Sequence, residues 1–153
     1  MKSIDALIAS HLSQVLRPKQ RSPWFETDDE LTTELRTIRA LAKPPQIVGE
    51  TSAIGEVTNL LLAHRIEAVV VVDATNTPCG VVSASDVLRA RPDWTAADAM
   101  SAATVQRANA SVGATAELMA RENALHVVIV EDNQILGLAS ALDVLAATCL
   151  APR

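Results

Sequence analysis

The sequence predicts an α/β protein of the α+β type, in which two tandem copies of one small unit follow an N-terminal helical extension. Three observations lead to this fold class. A stretch of sequence is repeated, each copy contains a short β-branched apolar run, and amphipathic helical spacing precedes the first copy. A chain of 153 residues is long enough to bury such a core without disulfides or metals.

The internal repeat is the most informative of these observations. Residues 80–88, GVVSASDVL, return as residues 137–145, GLASALDVL. Upstream, VVVVD at 69–73 matches VVIVE at 127–131, and one residue is lost in the turn between the matched blocks. Because turns tolerate deletions, two copies of one unit explain this similarity better than chance.

Each copy predicts the same elements in the same order. Ile54, Val57 and Leu61 fall near helical spacing, and Ser111 is a plausible N-cap for the matching helix of copy two. The apolar runs that follow are typical of strands buried on both faces, although periodicity alone does not exclude a buried helix. A final helix closes each copy. The remaining predicted strands lie near 47–48, 79–83, 105–106 and 135–140.

The predicted organisation has three parts. The N-terminal extension contains two predicted helices, residues 3–16 and 27–42, and Pro44-Pro45 ends the second. A capping pair, Thr95 and Asp98, opens the helix that leads into the second copy. The predicted boundaries are residues 1–40 for the extension, 41–92 for the first repeat and 93–153 for the second.

Composition excludes several classes of protein. A hydrophobic fraction of 49% rules out a disordered chain. A net charge of −5 and an aromatic fraction of 2% argue against nucleic-acid binding. No apolar run approaches the ~20 residues of a membrane span. Cys79 and Cys149 lack metal-ligand spacing and indicate a reducing compartment, so we expect a cytoplasmic protein.

The repeated motif Gly-x-x-Ser-x-x-Asp suggests a binding site. Ser83 and Ser140 each end a predicted strand and begin a helix, whose N-terminus favours an anion such as phosphate. Asp86 and Asp143, three residues further on, are placed to accept hydrogen bonds from the hydroxyls of a ribose. Glycine would let a flat base approach the strand backbone.

Helix capping explains the same residues without a ligand. A serine at the N-cap with an acid three residues later stabilises a helix by about 1 kcal/mol, and duplication would copy a cap as readily as a site. Catalysis is not expected, since three scattered histidines give no signature of a base beside a nucleophile. No catalytic or metal-ligating residue is therefore predicted.

Both copies, over roughly residues 41–149, resemble the cystathionine β-synthase (CBS) domain family. The resemblance rests on the helix, the β-branched run ending in Asp73 or Glu131, and the Gly-x-x-Ser-x-x-Asp closure. It implies two repeats of β-α-β-β-α order, packed sheet to sheet about a pseudo-twofold axis. It also implies clefts between the copies that bind AMP, ADP, ATP or S-adenosylmethionine, with Ser near phosphate and Asp near ribose.

The resemblance transfers these roles to matching positions. The phosphate and ribose roles fall on Ser83 with Asp86 and on Ser140 with Asp143. The pocket walls implied by the resemblance are Ile47, Ala68, Val69, Val105, His126 and Val127. Arg89 and Arg91 lie shortly after Asp86, whereas only Arg153 follows Asp143, so the first copy is the better predicted nucleotide site.

The sequence therefore predicts a regulatory module that senses an adenosine-type ligand and needs no other cofactor. We expect a homodimer, packed through helices in which Gly55 and Gly113 allow close approach, and a partner protein that responds to the ligand. A ligand-free dimerisation or adaptor domain, in which both motifs are only caps, is the alternative. A redox or nucleophilic enzyme that uses Cys79 is a third and weaker hypothesis.

Overall fold

The computed structural model describes residues 36–150. The predicted helix at 3–16, and residues 27–35 of the second predicted helix, lie outside the described residues. Where that second helix falls within them, the prediction is wrong: Ile38–Leu41 form a short 3-10 helix instead. The reason is that the backbone N–H groups of Ile38 and Arg39 donate to the carbonyls of Ala110 and Ala108 in the second copy.

Two similar sets of elements follow. The first repeat has strand β1, helix α1, strands β2 and β3, and helix α2, at Ile47–Gly49, Ile54–His64, Ala68–Val72, Pro78–Ser83 and Ala84–Arg89. A short helix and strand then connect the copies, α3 at Ala96–Ala99 and β4 at Ser101–Ala102. The second repeat has β5, α4, β6, β7 and α5, at Val105–Arg107, Val112–Glu122, His126–Glu131, Gln134–Ser140 and Ala141–Leu150.

The strands form two sheets with matching topology. One sheet has the order β1-β2-β3-β4 and the other β5-β6-β7. In each, the leading strand is parallel to the next, which is antiparallel to the third. The predicted β-α-β-β-α order is confirmed in both copies.

The apolar runs are strands buried on both faces. Val69 and Val71 of β2 pack into the core of the first copy beneath α1, and Val127 and Ile129 of β6 pack into the core of the second beneath α4. The alternate residues face the other sheet. A third cluster between the sheets contains Ala68, Val70, Val72, Val81 and Val128. The copies therefore pack sheet to sheet.

The segment that precedes each copy packs on the opposite copy. Ile38, ahead of copy one, is fully buried in the core of copy two. Ala96, ahead of copy two, is fully buried in the core of copy one. This exchange, which no pattern in the sequence predicts, makes each core dependent on both halves of the chain.

Backbone hydrogen bonds repeat this exchange symmetrically. The Ile38 N–H donates to the Ala110 carbonyl at 2.8 Å, and the Ala96 N–H donates to the Ser52 carbonyl at 2.8 Å. Lys43 forms a bridge with Leu138, and β4 pairs with β3 at the matching place. The two halves are thus related by the pseudo-twofold arrangement that the resemblance implied.

Helix starts agree with the predicted caps. Ser111 accepts a hydrogen bond from the Ala114 N–H, and Thr95 forms a capping box with Asp98. Gly55 is the second residue of α1, and a Cβ there would meet nothing within 4 Å, so no close approach among the described residues requires glycine. Within residues 36–150, no helix has the length and apolar character needed to cross a membrane.

Candidate functional site

The motif of the first copy is a capping box. Ser83 is the N-cap of α2, where its N–H donates to Asp86 Oδ2 at 2.8 Å and its Oγ accepts from the Asp86 N–H at 3.3 Å. The Ser83 hydroxyl also donates to Asp86 Oδ2, at 2.8 Å. Arg89 Nη2, one turn further along α2, donates to Asp86 Oδ1 at 2.8 Å. Both carboxylate oxygens of Asp86 are therefore bound within their own helix and cap.

The motif of the second copy has the same cap and a different cation. The Ser140 N–H donates to Asp143 Oδ2 at 3.0 Å, and the Asp143 N–H donates to Ser140 Oγ at 3.1 Å. Asp143 Oδ1, however, is 3.0 Å from the ammonium of Lys43, which lies 100 residues earlier in the chain. Here the aspartate binds a residue from outside its own copy.

A cleft of about 390 Å³ opens beside this second motif. Four of the predicted site residues line it: Ala68, His126, Ser140 and Asp143. The cleft is formed between the copies, since its walls come from β2, from β6 and β7, and from the segment before β1. Its size falls within the range of roughly 300–1,000 Å³ typical of small-molecule pockets.

Sequence reasoning missed several residues of the cleft. They come from the segment before β1 and from the connection between α1 and β2, and include Lys43, Gln46, Arg65 and Glu67. The repeat alignment could have indicated Gln46, which precedes the predicted wall residue Ile47. In the same way, Glu67 precedes the predicted wall residue Ala68. The sequence carried no signal for Lys43 and Arg65, because they reach the cleft only through the packing of the two copies.

The other predicted wall residues lie elsewhere. The side chains of Val69 and Val127 are fully buried in the two cores and do not line this cleft. Ile47 and Val105 are exposed, at 46% and 40%, on the leading strands β1 and β5. Neither lines the cleft beside Ser140, and Ser83 and Asp86 do not line it either.

His126 lies next to Ser140 in the β6–β7 register, as Ala68 lies next to Ser83 in the β2–β3 register. Burial lowers the pKa of His126 below 6.5, and the carboxylates of Glu67, Asp143 and Asp86 oppose this only in part. The imidazole is therefore neutral at pH 7 and offers the cleft one hydrogen-bond donor and one acceptor.

Asp143 is held in its charged form. Burial opposes its ionisation, but hydrogen bonds from Ser140 and Lys43 outweigh burial, and the pKa of Asp143 lies below 3.8. A charged carboxylate at the wall of the cleft can accept hydrogen bonds from ligand hydroxyls.

The motif glycines leave room for the segments that precede the opposite copies, at Ala42 and Lys43 and at Met100. A Cβ at Gly137 would lie 2.7 Å from the Ala42 Cβ and 2.8 Å from the Lys43 carbonyl oxygen. A Cβ at Gly80 would lie 2.9 Å from the Met100 Cβ. The expectation that glycine makes room for a ligand base is therefore corrected: the chain itself fills that space.

Cys79 does not have the environment of a nucleophile. Burial raises the pKa of its thiol above 9.0, and the nearby charges of Glu50 and Asp73 raise it further. Its Sγ lies 3.4 Å from the Val71 carbonyl oxygen, as expected for a small core side chain. Cys149 is exposed.

A family model supplies the identity of the fold. The model of the CBS domain matches residues 36–93 and 107–149. The chain therefore belongs to the CBS domain family and carries a tandem pair of these domains. Among curated proteins, none matches the chain.

Solved structures agree with this assignment. A CBS domain protein from Pyrobaculum aerophilum, complexed with AMP, is 32% identical over 73% of this chain and 88% of its own, with a TM-score of 0.61. A CBS domain-containing protein from Kribbella flavida is 21% identical over 76% of this chain and 99% of its own, with a TM-score of 0.65. The CBS domain pair of protein MJ0100, in complex with methylthioadenosine and S-adenosylmethionine, is 21% identical over 71% of this chain and 91% of its own, with a TM-score of 0.63.

Proposed function

We propose that this protein is a regulatory module that binds an adenosine-type ligand in the cleft beside Ser140 and Asp143. The observation that carries the proposal is the cleft itself. Residues of both copies line it, with a charged carboxylate and the first turn of α5 at one wall. The AMP complex of the Pyrobaculum aerophilum protein, 32% identical to this chain, supports the ligand class.

The proposed roles follow from the position of each group. Asp143 accepts hydrogen bonds from ribose hydroxyls, and the N-terminus of α5 at Ser140 faces an anionic part of the ligand. His126, neutral at pH 7, and the small side chain of Ala68 form walls. Because the ligand touches both copies, binding stabilises one arrangement of them, which an unidentified partner protein detects.

We place the ligand site in the second copy, whereas the sequence favoured the first copy as the nucleotide site. That preference assigned Arg89 to a ligand phosphate, but Arg89 is bound to Asp86. The Ser83 motif remains a proposed second site, with Ile47 and Val105 as exposed neighbours on the leading strands.

A thermal-shift titration with AMP, ADP, ATP and S-adenosylmethionine tests the proposal. At 100 times its dissociation constant, a ligand stabilises the fold by about 2.7 kcal/mol and raises the Tm by roughly 5–10 °C. Asp143→Ala should remove most of the shift, and Asp86→Ala, which removes the matched capping carboxylate, should retain most of it. If only Asp86→Ala abolishes the shift, the ligand site is in the first copy. If no ligand shifts the wild-type Tm, the proposal fails.

The adaptor hypothesis is the second candidate. Both motifs form complete capping boxes from their own serine and aspartate, as that hypothesis requires. It predicts no thermal shift with any nucleotide, together with a stable assembly in solution.

Exposed leucines support a homodimer under either hypothesis. Leu62 of α1 and Leu88 of α2 are 72% and 86% exposed. Between α4 and α5 of the second copy lies an apolar groove of about 120 Å³, with Ala116, Ala120 and Val144 among its walls. We propose that a second copy of the chain covers these surfaces. Light scattering should give a dimer that Leu62→Asp with Leu88→Asp converts to a monomer, and a monomeric wild type would contradict it.

The absence of catalysis and a cytoplasmic location are also proposals. The raised pKa of Cys79 leaves its thiol protonated at neutral pH, which supports a non-catalytic protein. Two unpaired cysteines, Cys79 and Cys149, support a reducing compartment.

A further inference from the structure

Lys43 holds an unusual position in the cleft. Its backbone is fixed, because its N–H donates to the Leu138 carbonyl at 3.1 Å and its carbonyl accepts from the Leu138 N–H at 3.0 Å. Its side chain is 70% exposed and reaches Asp143 from the segment that precedes β1. The ion pair therefore joins two walls of the cleft, and its cation lies at the solvent-exposed mouth.

The first copy has no equivalent of this cation. Lys43 bridges Leu138 where Ser101 pairs with Val81, so a serine occupies the matching place. The cation on Asp86 is Arg89 of its own helix. An ion pair to a lysine from outside the copy is thus found at the second motif and not at the first.

A ligand hydroxyl that binds Asp143 competes with the Lys43 ammonium for Oδ1. A hydroxyl that donates to Asp143 Oδ1 replaces the ammonium, 3.0 Å away, and leaves it without its anion. A ligand phosphate replaces that anion, whereas a neutral nucleoside does not. Arg65 at the rim forms no ion pair within residues 36–150 and adds to the attraction for an anion.

Resting on the function proposed above, we propose that Lys43 is a specificity-determining residue that makes this cleft select phosphate-bearing nucleosides over the uncharged nucleoside. The Lys43 ammonium then exchanges one anion, Asp143, for another, the ligand phosphate, and so keeps a charged partner. Charge-assisted hydrogen bonds are also stronger than those between neutral groups. A neutral ligand gains neither advantage.

Calorimetric titration of the full-length protein with AMP and with adenosine tests this. Wild type should bind AMP more tightly than adenosine. Lys43→Met should weaken AMP binding about tenfold, the change expected for loss of one charged hydrogen bond, and leave adenosine binding unchanged or tighter. Lys43→Arg should restore the selectivity. Arg89→Met, which removes the cation of the other motif, should leave the ratio of the two affinities as in wild type.

The outcomes separate this inference from the proposed function. If Lys43→Met weakens AMP and adenosine equally, or changes neither, Lys43 does not set specificity, and the inference is overturned while the binding function stands. If the wild-type protein binds neither compound, the binding function fails, and the inference fails with it.

Discussion

The two Ser-x-x-Asp motifs are alike in backbone and different in surroundings. Both cap a helix with the same pair of hydrogen bonds. Asp86 is then neutralised by Arg89, one turn away, whereas Asp143 is neutralised by Lys43 across a cleft. The comparison shows that duplication preserved the local structure, the cap, while tertiary packing decided which cation each aspartate binds and placed the cleft beside the second motif.

The segments that precede the two copies also share their backbone contacts and differ in their side chains. Both are fixed by equivalent backbone hydrogen bonds, but the fully buried residue is Ile38 on the second copy and Ala96 on the first. Each core also packs partly buried side chains of its segment, Leu41 and Ala42 on the second copy and Trp94 and Met100 on the first. The segment on the second copy continues into Lys43 and the cleft.

The largest expected effect tests the contribution of the segment on the second copy. Ile38→Ala removes a fully buried side chain from the core of the second copy and should lower the free energy of unfolding by about 2–5 kcal/mol, measured by urea denaturation. Ile47→Ala, at a position 46% exposed, is the control and should cost much less. Equal losses for the two variants would mean that residues around Ile38 do not anchor the second copy.

The motif glycines should give the next largest effect. Gly137→Ala places a Cβ against the backbone of Lys43 and should cost about 1–3 kcal/mol of unfolding free energy. Gly80→Ala meets the Met100 side chain, which can adjust in part, and should cost less. Gly55→Ala, in open space within α1, should be neutral or slightly stabilising. A tolerated Gly137→Ala would contradict the close docking of the exchanged segment.

The serine caps should respond alike. Ser83→Ala and Ser140→Ala each remove an N-cap acceptor and should each lower the unfolding free energy by about 1 kcal/mol in the absence of ligand. Chemical denaturation of both variants checks this. A clear difference between them would show that the two caps are not equivalent.

The smallest expected effect concerns pH. Because the pKa of Asp143 lies below 3.8 in the folded protein, its contribution to stability is present above its unfolded pKa of about 3.9 and is lost as the pH falls through the folded value. Lys43→Met should move the pKa of Asp143 upward, observed by carboxyl NMR titration. An unchanged pKa would mean that the ion pair does not form in solution.

The lowered pKa of His126 should be measurable by NMR titration of its imidazole. Since burial lowers it below 6.5, neutral His126 favours folding above that pH, and this contribution is lost as the pH falls from 6.5 through the folded value. His126→Gln should remove that part of the pH dependence. Asp143 and Asp86, the two motif carboxylates, both act on this one imidazole, together with Glu67.

Much of the fold followed from local patterns. The β-branched runs, the caps at Ser111, Thr95 and Ser83, and the element order were predicted because each depends on residues close in sequence. The residues that line the cleft were harder to predict from the sequence. Every residue of Ala68–Val72 is apolar, so no alternation showed that Val69 faces the core and Ala68 the other sheet.

The sequence alone determined that this chain is a duplicated unit whose helices open on matching serine and aspartate pairs, since capping and strand formation are local preferences. Only the tertiary structure decided that each leading segment docks on the opposite copy, that this segment packs against the motif glycine, and that Lys43 pairs with Asp143. Contacts between residues 100 positions apart depend on how two buried sheets stack, and uniformly apolar strands carry no record of that stacking.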